Sequence, residues 1–71
     1  MTHFEFFLRK TMLERDIPRW GDLCRETGME PRLLLDRRTH PENLRLYEVR
    51  MLADALGVPA IDLVASTMGR D

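Results

Sequence analysis

The stretch Leu23-Cys24-Arg25-Glu26-Thr27-Gly28-Met29-Glu30-Pro31-Arg32-Leu33-Leu34 reads as two short helices hinged at a glycine with almost nothing between them. Gly28 stands where the first of the pair must stop, because glycine enters the left-handed region without a Cβ penalty. Pro31 stands where the second begins, since the first turn of a helix has no use for the N–H that proline lacks. A turn this tight crosses two helices steeply and presents the second one outward, which is the shape of a helix-turn-helix.

Working outward from the hinge, the spacing predicts five helices. Thr2 caps a first helix to about Arg15, with Glu5 completing a capping box and Phe4, Leu8 and Met12 at helical spacing. Phe6, Phe7 and Leu13 widen its apolar face beyond what a small core needs, so this helix, through Phe4 or Phe6, and the last helix of the chain are both candidate surfaces for contact with a second copy. Asp16-Ile17-Pro18 ends this helix, because the residue before a proline is pushed out of the α region. The second helix runs from about Arg19 to Thr27, with Leu23 and Cys24 inward. The third runs from about Pro31 to Arg38, anchored by Met29 and Leu34.

Thr39-His40-Pro41-Glu42-Asn43 is a polar connection, in which Thr39 with Glu42, or Asn43 alone, is the expected cap of the next helix. The fourth helix reaches Leu56 and is stopped by Gly57, with Leu46, Val49, Leu52, Ala53 and Leu56 expected on one face and Glu48, Arg50 and Asp54 on the other. After Val58-Pro59 a last short helix carries Leu63 as its anchor, and Met68 to Asp71 read as a frayed tail. There is no strand alternation, internal repeat or low-complexity segment in the 71 residues.

A single domain of this length hides only about 60% of the surface of its unfolded chain, so a partner chain or ligand is a natural source of extra stability. Cys24 is the only cysteine, which excludes an internal disulfide and points to the cytoplasm. No segment approaches the roughly 20 apolar residues of a membrane span, and no basic stretch followed by an apolar run marks an export signal. His3 and His40 lack partners at metal spacing, and nothing assembles a nucleophile, a base and an oxyanion site, so neither a cofactor nor an enzyme is expected.

Net charge is −1, but the distribution is uneven: 0 for residues 1–17, −1 for 18–30, +2 for 31–47 and −2 for 48–71. The positive segment holds the third helix and the loop after it. Ten of the eleven basic residues are arginine, whose planar fork suits phosphate and guanine better than lysine does.

Two stretches, Leu23-Cys24-Arg25-Glu26-Thr27-Gly28-Met29 and Leu52-Ala53-Asp54-Ala55-Leu56-Gly57-Val58 with Leu63 after it, resemble the Cro/C1 type of helix-turn-helix regulator, also called the XRE family. The resemblance covers about residues 5–65. It implies a compact all-α, five-helix, lambda-repressor-like domain that binds double-stranded DNA as a homodimer, with the third helix in the major groove. By position it puts base reading on Pro31, Arg32, Leu35 and Asp36. Phosphate contacts then fall on Arg19, Trp20, Arg37, Arg38, His40, Asn43 and Arg45, although a lone tryptophan is more often packed than exposed to a ligand. The family often pairs an arginine on the first helix with a glutamate ending the third. Leu13 and Arg38 stand at those places here, so a reversed pair of Glu14 with Arg37 or Arg38 is expected.

The residues also support a second reading. Net acidity and an outward face carrying Pro31, Leu33, Leu35 and Asp36 suit a helix-turn-helix reused for protein contact, as in an accessory or antitoxin-like subunit with little or no DNA binding.

Overall fold

The computed structural model describes residues 1–69, which form five α-helices and one short 3₁₀ turn with no strand among them. These are α1 (His3–Glu14), α2 (Trp20–Thr27), α3 (Pro31–Thr39), the 3₁₀ turn Pro41–Asn43, α4 (Leu46–Leu56) and α5 (Ala60–Thr67). No helix among the described residues is long and apolar enough to cross a membrane.

The stops and starts are local chemistry. The Thr2 hydroxyl accepts the Glu5 N–H at 3.0 Å while the Glu5 carboxylate accepts the Thr2 N–H at 3.0 Å, a complete capping box. Gly28 and Gly57 end α2 and α4 in the left-handed conformation, at φ 79° and 67°. The end of α1 uses the same geometry without a glycine: Asp16 sits at φ 58°. Ile17 N–H then reaches the Met12 carbonyl at 2.9 Å and Asp16 N–H reaches that of Leu13 at 3.3 Å, the double bond of a Schellman stop. So α1 is closed by Asp16 itself, and the turn delivers Ile17 into the core.

Capping of α4 departs from expectation. Thr39 turns its hydroxyl back onto the Leu35 and Asp36 carbonyls, and the Asn43 amide donates to Asp36 at 3.2 Å. The cap residue is Arg45, whose N–H donates to the Glu48 carboxylate at 2.9 Å.

Phe4, Leu8, Met12, Leu23, Leu34, Leu52, Leu56 and Leu63 are the fully buried apolar side chains, with α1 and α4 both packed on α5 and α2 packed on α3 and α4. Phe4 lies on the Leu8–Met12 stripe, and at 1% exposed it has no surface for a second copy; Phe6, at 62%, does. On α4 the expected faces shift. Leu46, the first residue of the helix, is 87% exposed although it stands three residues before Val49, and Glu48 is fully buried, four residues before Leu52 on the stripe of Val49, Leu52, Ala53 and Leu56.

The two kinds of stop give opposite responses to one exchange. Asp16→Gly relieves a left-handed residue bearing a Cβ and raises stability by about 0.5–1 kcal/mol, whereas Gly28→Ala, with nothing near its added Cβ, costs about 1 kcal/mol of backbone strain alone. For a domain of this size each kcal/mol moves the melting midpoint by about 4–8 °C, readable by circular dichroism.

Candidate nucleic-acid interface

Helix α3 carries one buried apolar side chain, Leu34, with Leu33 half-buried beside it. That is a thin hydrophobic anchor for nine residues. Its C-terminal half is held instead by polar ties to three other elements. The Arg37 guanidinium donates through Nε to Glu48 Oε1 at 2.8 Å and through Nη2 to Oε2 at 3.1 Å, a bidentate pair linking α3 to α4. Arg38 Nε reaches Glu5 Oε2 at 3.3 Å, and the Arg38 carbonyl accepts from the Thr2 hydroxyl at 3.0 Å, so the capping box of α1 also clamps the end of α3. Asp36 accepts from Asn43 and from Arg37, tying α3 to the 3₁₀ turn.

Trp20 adds a fourth tie. The Arg38 guanidinium lies 3.8 Å from its ring centroid and Arg9 lies 5.6 Å away, while the indole packs against the core. A reversed pair between α1 and α3 does exist, but its acid is Glu5. Glu14 takes no part in an ion pair among the described residues.

These ties divide the arginines. The side chains of Arg37 and Arg38 are 11% and 20% exposed and matched to carboxylates. Their charge is spent inside the fold, leaving little of it for a phosphate. Arg32, Arg45 and Arg19 are exposed and have no carboxylate partner among the described residues. They stand at the first turn of α3, at the cap of α4 and at the cap of α2. Pro31, Arg32 and Leu35 are exposed on α3; His40 and Asn43 are exposed in the connection, with His40 Nδ1 3.6 Å from the Glu42 carboxylate. What the structure does not bring to the surface as free groups are Arg37, Arg38 and, in part, Asp36.

Glu5 reads in the sequence only as half of a capping box and Glu48 only as an outward residue of the fourth helix, yet each holds an arginine of α3. The signal for Glu48 is its register, four residues before Leu52 and one before Val49; residue type hid it. Compared with protein-family models, curated proteins and solved structures, the chain matches none.

Hydrogen bonds from Arg37, then from the Arg45 N–H, hold the Glu48 carboxyl below its ordinary value of 4.5, against burial, which pushes it up. A carboxyl with a lowered folded-state pKa contributes stability that is present above its ordinary value and is lost as the pH falls through the lowered one. The stability gap between the native chain and Glu48→Gln is therefore full above pH 4.5 and closes below it, in urea titrations run at a series of pH values. Arg37→Met, which strands the buried carboxylate, costs about 3–5 kcal/mol, and adding Glu48→Leu recovers most of it.

Proposed function

We propose that this chain is a sequence-specific DNA-binding regulator of the Cro/C1 helix-turn-helix type, placing α3 in the major groove and acting as a homodimer. The observation that carries this reading is the pose of α3. Gly28 turns the chain, Leu34 faces the core, and Arg32 and Leu35 face out from a helix whose far end is fastened to α1, α4 and the 3₁₀ turn. A reading helix needs such fastening, since contacts to base edges reward a fixed geometry. Exposed Arg19, Arg32 and Arg45 supply the charge for the flanking phosphates.

The homodimer rests on a separate feature. Ile61, Val64 and Met68 share one exposed face of α5, and Val64 lines a groove with Leu44, Leu46 and Val49. Leu46 and Ile61, 87% and 76% exposed, leave this apolar face uncovered in the single chain. Two copies joined there on a two-fold axis present paired α3 helices to half-sites one DNA turn apart, about 34 Å.

The exposed Leu35 favours a second reading, in which the same face binds a protein and not DNA. The two separate in a titration of the full chain against duplex DNA by fluorescence anisotropy. DNA binding appears as affinity that falls with salt, with a log–log slope near 0.9 per neutralised phosphate. Arg45→Ala weakens all sequences alike and lowers that slope by about 1 per contact removed. No duplex binding at low salt overturns the DNA reading in favour of the protein-contact one. Independently, Ile61→Glu places a charge on the α5 face and converts a sedimenting dimer to a folded monomer.

A further inference from the structure

The outward stripe of α3 is chemically sparse. Arg32 and Leu35 lie three residues apart, so their Cβ atoms stand about 5–6 Å from one another. With base pairs rising by about 3.4 Å, the two side chains meet neighbouring pairs. Asp36, beside them, already accepts from Asn43 and Arg37 through Oδ2, and the Arg37 guanidinium neutralises its charge, which weakens the remaining Oδ1 as an acceptor for a cytosine amino group. The Thr39 hydroxyl donates to the Leu35 and Asp36 carbonyls. Pro31 has no N–H to offer. What this stripe of α3 offers without a competing partner is the Arg32 guanidinium, paired with no carboxylate among the described residues, and the half-exposed isobutyl group of Leu35.

Each of these has one good match in the major groove. A guanidinium fork fits the O6 and N7 acceptors of guanine, and an aliphatic group gains only from the C5-methyl of thymine. Leu35 cannot hydrogen-bond a base edge, and beside any other base it leaves polar atoms without a partner. We propose that each half-site is selected for a guanine within two base pairs of a thymine, with Arg32 donating to the guanine and Leu35 packing on the thymine methyl group. This rests on the DNA-binding reading above and adds to it the chemistry of the bases chosen.

The test is selection of duplexes from a random pool with the full chain, followed by anisotropy titration of the selected duplex and of the same duplex with that thymine replaced by uracil, which lacks only the methyl group. Uracil is expected to weaken the native chain about fourfold, the worth of one buried methyl, and to leave Leu35→Ala unchanged. Arg32→Ala is expected to lose the guanine preference and keep residual binding. Both side chains are exposed, so both variants retain the native melting curve. A duplex that is bound tightly but indifferent to uracil, or that loses as much with Leu35→Ala, overturns this assignment and leaves DNA binding standing. Absence of any duplex binding at low salt overturns both.

Discussion

The buried ion pair between Arg37 and Glu48 is the interaction on which the pose of α3 depends. A helix with one fully buried apolar residue gains too little from packing to be held at a single angle, and the two parallel hydrogen bonds of the pair, directional and short, supply what packing does not. Burying two charges carries a desolvation penalty that the Coulomb attraction barely repays. Its benefit is definition of geometry more than net stability. The remaining demands of the Glu48 carboxylate are met by the Arg45 N–H, so the same group caps α4, and no buried side-chain polar atom among the described residues lacks a partner.

The charge pattern takes on a different meaning once the pairs are known. Residues 31–47 carry a net charge of +2, yet two of their four arginines neutralise Glu48 and Glu5, which lie outside that segment. The local excess is therefore a feature of the chain order, and the arginines around α3 left without a carboxylate among the described residues are Arg32, Arg45 and, from across the hinge, Arg19. Arg15 and Arg50 are likewise exposed without a carboxylate partner among the described residues, so this chain of net charge −1 carries its unpaired guanidiniums singly on several elements.

Most helix boundaries were legible because the signals that set them are local. Thr2 with Glu5, Gly28, Pro31 and Gly57 act within one turn of their own position, so their identity is sufficient. Asp16 was less legible: its left-handed φ needs the Ile17 side chain to find the core, and the nearby Pro18 offered a simpler reason for the same stop. Neither Leu46 nor Glu48 follows its type: Glu48 is buried because Arg37 and the Arg45 N–H satisfy its carboxylate, and Leu46 is exposed at the first position of α4.

By itself the sequence determined the all-α class, the order of five helices and the tight hinge at Gly28, because backbone preference and apolar period are properties of neighbours in the chain. Only the tertiary structure decided which arginines are free. Glu5 lies 33 residues from Arg38, and Glu48 lies 11 from Arg37, in other helices, and no local rule states which carboxylate a flexible guanidinium will find. That pairing separates the structural arginines from Arg32, and with it the face that α3 presents.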